Sequence, residues 1–316
     1  MGHGHGHGHV HGHVHGQGHA AGRAADRARL RWVLAITASV LVVELVGAWL
    51  TGSLALLADA GHMATDAGAV VLALGASYVA GRPAGPRSTF GYHRAEILAA
   101  MLNALVLLGV CAYVGYAGIT RLGDPAEIDA GPMVAFATFG LLANAVSLMV
   151  LSGSETGSLN LRGAANEVLA DLLGSVLAIA AGVVVWTTGW ERADAVASLL
   201  IAVLLLPRSL LLLRDSAVIL LEIAPAGLDL DDVRRHLVQV PGVVDVHDLH
   251  AWTITSGMPS LSAHVTVTDE ALADRGVGPI LDQLCECVSA HFEVRHATFQ
   301  VEPLSHEAHE DLGEVH

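Results

Sequence analysis

Apolar residues in this chain gather into six long stretches, at about 31–52, 55–80, 95–120, 131–152, 162–188 and 192–213. Each comes near the roughly 20 residues that an α-helix needs to cross a bilayer, so the pattern predicts six transmembrane helices. The second and fifth are interrupted by polar residues. Past Glu222 the pattern shortens. Asp229-Leu-Asp-Asp opens a helix through about Gln239, its acids in the first turn where the helix dipole favours them, and Pro241-Gly242 ends it. Val243–Ile254 reads as a strand and Ser256-Gly257 as a turn. Ser260–Thr268 alternates strictly, with Leu261, Ala263, Val265 and Val267 on one face and Ser262, His264, Thr266 and Thr268 on the other. A helix over about 277–291 and a strand over His296–Glu302 follow, the latter with His296, Thr298, Gln300 and Glu302 on its polar face. The order αββαβ describes a small α+β unit with helices on one face of its sheet.

Composition agrees with membrane spans. Charged residues make up 15% of the chain, against about 25% in soluble domains, and mean hydropathy is +0.54. The formal charge of −15 is uneven: Glu222–His316 holds 17 acids and 4 arginines, and the remainder 14 acids and 12 arginines. An acidic C-terminal domain excludes nucleic acid as a partner, because phosphates are repelled, and it suits cations. Cys111, Cys285 and Cys287 make no disulfide framework, and two residues apart on a helix Cys285 and Cys287 do not share a face. Residues 1–20 alternate Gly and His, with eight histidines; such a tract cannot bury a core and reads as a metal-collecting tail. The first apolar run starts only after Arg31, so no cleavable leader is expected. Four domains follow: a disordered tail (1–22), a six-helix transmembrane domain (23–216), the αββαβ domain (217–303) and a flexible acidic tail (304–316). Arginines concentrate on one side of the spans (Arg23, Arg27, Arg29, Arg31, Arg82, Arg87, Arg94, Arg162, Arg208, Arg214), with only Arg121 and Arg192 on the other. The positive-inside rule then places both termini in the cytoplasm of a multi-pass cell-membrane protein.

Five acids fall inside the spans beyond their first turn: Glu44, Asp59, Asp66, Glu167 and Asp171. A charge at the bilayer centre costs about 2.5–3.5 kcal/mol on insertion scales. The span limits leave no arginine deep enough to neutralise these acids, with Arg208 and Arg214 closing span six, so the carboxylates must be protonated, hydrated or bound to a cation. His62 and Asp66 are four apart, as are Glu167 and Asp171, which puts each pair on one helix face. Side by side, the two helices offer one imidazole and three carboxylates, a tetrahedral set that suits zinc. A lone buried histidine would more often be a core residue satisfied by a hydrogen bond; the pairing argues for a site. Asp59, three before His62, lines the same face or serves packing and capping. Glu44 is an outer or packing partner. Asn103 and Asn144 are expected to hydrogen-bond between helices.

These residues resemble the cation diffusion facilitator family of divalent-metal transporters over about residues 30–303. The resemblance rests on Gly52-Ser-Leu-Ala-Leu-Leu-Ala-Asp-Ala-Gly-His-Met-Ala-Thr-Asp66, Phe90-Gly-Tyr-His-Arg-Ala-Glu-Ile-Leu98, Asn160-Leu-Arg-Gly163 and Val246-His-Asp-Leu-His-Ala-Trp252. It implies a six-span bundle, a ferredoxin-like, metallochaperone-like cytoplasmic domain and a homodimer. It further implies export of zinc-class ions, with cobalt and cadmium, in exchange for protons. The family's transport site is an HxxxD pair on each of spans two and five. His62 and Asp66 match the first pair; in the second Asp171 matches, whereas Glu167 stands where zinc members usually carry histidine. A carboxylate there hardens the site, which keeps manganese or iron open as cargo. The resemblance implies further ligands at His247, His264 and Glu302, with His296, His250 and Asp248 as additional candidates. The bland alternative for these is a solvated polar face. His93 reads as the start of span three or as an accessory ligand. No prosthetic group is expected, since the metal is cargo. An enzyme is disfavoured, for no HExxH and no Ser/His or Cys/His constellation at a span end is present. A membrane storage or sensor protein would explain the His tail but not acids in two separate spans.

Overall fold

The computed structural model describes residues 15–152, 159–255, 257–294 and 296–309. Six helices have the length and composition to cross a membrane: α1 (His15–Thr51), α2 (Leu54–Ala80), α3 (Arg94–Gly123), α4 (Ala130–Ser152), α5 (Leu159–Thr188) and α6 (Arg192–Leu220). They are followed by α7 (Leu230–Val238), β1 (Val243–Thr253), β2 (Pro259–Val267), α8 (Asp269–Arg275), α9 (Val277–Phe292), β3 (His296–Pro303) and a 3-10 turn, Leu304–His309. The six spans and the three-stranded sheet are as the hydropathy pattern predicts. Two features differ. α1 begins at His15, so residues 15–22, expected within the N-terminal tail, are helical. The rest of the tail, residues 1–14, lies outside the described residues, as do 310–316. An unexpected short helix, α8, makes the order αββααβ. The Thr268 hydroxyl caps it by accepting from the Ala271 N–H at 3.2 Å, Asp269 and Glu270 fill its first turn, and Gly276 at φ 73° ends it.

The chain forms two compact units. The first comprises residues up to Gly68 together with Val106–Ser209. Here α1, α4 and α5 pack on one another, and small residues set their spacing. A Cβ on Gly47 would fall 2.7 Å from Phe136, and one on Gly182 would fall 2.6 Å from Val134. The apolar core draws on all six helices, through residues such as Ala48, Leu56, Leu107, Met133, Ala178 and Ile201. Large apolar side chains such as Trp32, Trp49, Leu142, Trp186 and Val203 point outward, as a lipid-facing surface requires. At the start of α2, Asp194 is fully buried. Its carboxylate accepts from Ser53 Oγ (2.6 Å), Leu54 N (2.7 Å) and Ala55 N (3.1 Å). Arg121 lies 3.6 Å from the same carboxylate and donates to the Gly52 carbonyl at 2.7 Å.

The second unit comprises Ala69–Leu105 and Leu210–His316. Asp229 caps α7 by accepting from Asp231 N and Asp232 N. The sheet runs β1-β2-β3, antiparallel then parallel. Leu261, Ala263, Val265 and Val267 of β2 turn toward Val233 and Leu237 of α7 and Ile280, Leu284 and Val288 of α9. One face is thereby covered by helices, and His264 projects from the other.

Candidate metal-transport site

Within the first unit, the i,i+4 pairs of α2 and α5 meet. His62 Nε2 lies 3.6 Å from Asp66 Oδ2 and 3.9 Å from Asp171 Oδ1. His62, Asp66 and Glu167 each bring a ligand atom within 4.8 Å of the others. Both ring nitrogens of His62 are buried with no hydrogen-bond partner among the described residues. A satisfied core histidine would not look like this, because a buried imidazole without partners costs free energy until something engages it. Exposure rises across the cluster: the side chain is 2% accessible at His62, 6% at Asp171, 25% at Asp66 and 40% at Glu167.

The expectation that no arginine reaches these carboxylates fails at Arg208. Its guanidinium donates from both terminal nitrogens to the two carboxylate oxygens of Glu167 and lies 3.6 Å from Asp66. Such a fork-to-fork pair fixes geometry as well as charge. Arg208 follows Pro207, which lacks an N–H and so leaves one carbonyl of α6 without its helical bond. The long side chain then spans the distance to α5. Three carboxylates and one guanidinium leave a formal charge of −2 around His62, the value that one divalent ion cancels. Glu167 is therefore a carboxylate already held by a cation.

The second unit carries another cluster. The antiparallel register sets His247 directly opposite His264, and their rings meet edge to face at 5.4 Å. Glu302 of β3 lies buried beneath both: Oε1 is 3.1 Å from His264 Nδ1 and Oε2 is 3.7 Å from His247 Nε2. Asp248 sits at the register shift between His247 and His250 with φ 47°. That turn brings its carboxylate 2.8 Å from His250 Nε2 and 3.6 Å from His264 Nε2. His296 is a correction. Strand parity puts it on the polar face, but the parallel register pairs it with Ser260, four residues before His264. At about 3.3 Å per residue that is roughly 13 Å along the strand. It is exposed and packs edge-on to Phe90 at 5.4 Å instead.

Two family models cover almost all of the chain beyond residue 29: the cation efflux transmembrane domain at residues 30–221 and the cation efflux protein cytoplasmic domain at 225–304. The chain belongs to the cation efflux, or cation diffusion facilitator, family. Among its relatives, the metal cation efflux system protein CzcD of Cupriavidus metallidurans is 42% identical, over 86% of this chain and 85% of that protein. The zinc transporter ZitB of Escherichia coli is 41% identical, over 87% of each. A cadmium, cobalt and zinc/H(+)-K(+) antiporter of Bacillus subtilis is 38% identical, over 84% of this chain and 86% of that protein. A solved structure of the metal-bound C-terminal domain of CzcD matches 24% of this chain and 99% of that one at 36% identity, with a TM-score of 0.20. The chain is thus a multi-pass membrane protein of a cation-efflux family.

In this cation efflux protein the three accessory candidates separate from the ligands. Asp59 is buried, with Ser175 Oγ 3.5 Å from its Oδ2, and it presses on Gly174 of α5, where a Cβ would collide with it. Glu44 presses in the same way on Gly140 of α4. His93 stands just before α3, where its carbonyl accepts from the Glu96 N–H at 3.3 Å, which is the start-of-helix role. Asn144 is fully buried, yet its amide finds no partner among the described residues, so the expected interhelical bond is not made. Asn160–Gly163 have side chains outside the described set. Two residues escaped the sequence reading, Arg208 and Asp194. The available signal was an arginine and an acid inside hydropathy windows that tolerate neither without a partner.

Proposed function

We propose that this protein exports Zn²⁺, with Co²⁺ and Cd²⁺ as further cargo, from the cytoplasm in exchange for protons. His62, Asp66 and Asp171 are the ligands, and Glu167 contributes through its remaining lone pairs. The observation that carries this reading is a buried, partnerless imidazole facing carboxylates whose charge is left at −2 by Arg208. The names of the relatives point to the same three ions. Because Arg208 already holds Glu167, the replacement of the family's usual histidine adds less free negative charge than the sequence implies, and the argument for manganese or iron weakens with it. Ligands must lose protons to bind metal, so metal and proton compete at this site and secondary antiport follows. Both termini lie in the cytoplasm, and the exposure of Glu167 and Asp66 supports entry of the ion along those two side chains. The C-terminal domain binds metal at His247, His264 and Glu302 and pairs with its copy in a homodimer.

Reconstituted protein tests this directly. Zinc flux into proteoliposomes should be saturable and fall at least ~100-fold in Asp171→Ala, more than the 10–100-fold typical of losing an outer partner of a ligand. Zinc flux in that variant at the wild-type rate would remove the site.

A further inference from the structure

Glu44 is a buried acid that the proposed transport site does not use. It is fully inaccessible, and neither carboxylate oxygen has a hydrogen-bond partner among the described residues. Among the described residues, no arginine or histidine forms an ion pair or hydrogen bond with it. Of the helices packed against α1, α4 carries no titratable residue over 130–152, and α5 brings Asp171 into electrostatic reach. The remaining charged neighbour is Asp59 of α2. Two glycines shape the surroundings. A Cβ on Gly140 would collide with Glu44 Oε1 and would lie 3.3 Å from Ser175 Oγ; one on Gly174 would collide with Asp59. Ser175 Oγ lies 3.5 Å from Asp59 Oδ2. Glu44, Ser175 and Asp59 thus form a row of oxygens pressed onto bare helix backbone, about one turn along α5 from Asp171 and one turn along α2 from His62.

An ionised carboxylate with no partner in a low-dielectric interior is costly, so the acid stays neutral until a positive charge comes near. A metal ion would satisfy it only with several oxygens gathered around one point, whereas Glu44 has glycine backbone against one oxygen. A proton needs neither room nor a shell. We propose that Glu44 is a proton-carrying group, separate from the metal ligands, which holds one counter-transported proton while the metal site is empty. This rests on the antiport reading above. Divalent metal arriving at His62 places positive charge near the row and favours release of the Glu44 proton, which passes by way of Ser175 and Asp59 to water. Departure of the metal reverses that bias, and a proton from the opposite aqueous phase restores the neutral acid. Metal and proton then exclude one another by charge, and the exclusion is reciprocal.

The test compares wild type with Glu44→Gln, the isostere of the neutral acid. Isothermal titration of zinc into detergent-solubilised protein, repeated in buffers of different ionisation enthalpy, counts the protons released on binding. Proteoliposomes holding zinc and pH dyes give the H⁺/Zn²⁺ ratio in flux. Glu44→Gln should fold, bind zinc within ~3-fold of wild type, release one proton fewer and transport zinc downhill with a ratio lower by one. Glu44→Asp should restore the missing proton. An unchanged proton count in Glu44→Gln overturns the proposal and leaves antiport standing; so does failure of Glu44→Gln to fold, since a residue held neutral tolerates that change. If wild type releases and moves no protons at all, the antiport reading falls and this assignment falls with it.

Discussion

The pairing of Arg208 with Glu167 alters how the transport site is understood. Both carboxylate oxygens of Glu167 are engaged by one guanidinium, and Asp66 lies 3.6 Å from the same group. Removing that cation frees two hard oxygens and leaves three carboxylates against a single imidazole. Arg208→Met should therefore strengthen binding of Mn²⁺ by ~10-fold or more, since oxygen-rich shells favour harder ions, while slowing release and turnover of zinc. Competition binding of Mn²⁺ against Zn²⁺, with zinc flux alongside, reads both; unchanged Mn²⁺ affinity would mean that Arg208 merely fills space. The site's first half is legible in the sequence because helical periodicity is local. His62 and Asp66, or Glu167 and Asp171, must share a face wherever the helix goes. Arg208 is 41 residues from its partner, and nothing local dictates where a long, flexible side chain will lie. His296 failed for a related reason: alternation fixes which face a strand residue takes, and only the pairing register fixes how far along the sheet it sits.

Helices show the same division between local and tertiary causes. Their existence follows from length and hydropathy, and α8 was overlooked because seven residues are too few for a period to declare itself. The cap of α2 is a tertiary device. Leu54 N and Ala55 N are among the four donors that a helix start leaves unpaired, and in a membrane interior water cannot be relied on to serve them. Asp194, 140 residues later in the chain, takes both and the Ser53 hydroxyl as well. It thereby fixes where α2 begins and, eight residues further on, where His62 stands. Asp194→Ala strands buried donors and leaves Arg121 with one partner fewer, so it should cost about 1.5–3 kcal/mol, the range for hydrogen bonds to charged groups. Thermal unfolding in detergent would show the loss, and Asp194→Asn, which keeps an acceptor oxygen, should recover part of it. A melting temperature for Asp194→Ala equal to wild type would mean that the carboxylate is not what holds α2.

At the scale of the whole molecule, the uneven charge and the second histidine cluster belong to one argument. Glu222–His316 carries 17 acids against 4 arginines, so two such domains brought together repel over distances set by ionic strength. The cluster of His247, His264 and Glu302 sits on the sheet face that the helices leave open, with both nitrogens of His264 close to carboxylates, Glu302 at 3.1 Å and Asp248 at 3.6 Å. Metal bound there lowers the repulsion, and a ligand that binds the paired form in preference stabilises it by mass action. Zinc should accordingly raise the dimer fraction of the full-length protein in dilute detergent solution, as measured by light scattering. His264→Ala should shift the zinc needed by at least ~10-fold. His296→Ala should leave the zinc response unchanged, because that ring packs on Phe90. Lowering the pH should weaken the zinc effect in wild type, since the ligands bind metal only when deprotonated. The two histidines lie on one polar face and differ only in register, so their contrast separates a defined metal site from a diffuse acidic surface. Equal effects of the two substitutions would favour the diffuse surface, and the loss of zinc-driven pairing in His264→Ala alone would fix the site at the crossing of β1, β2 and β3.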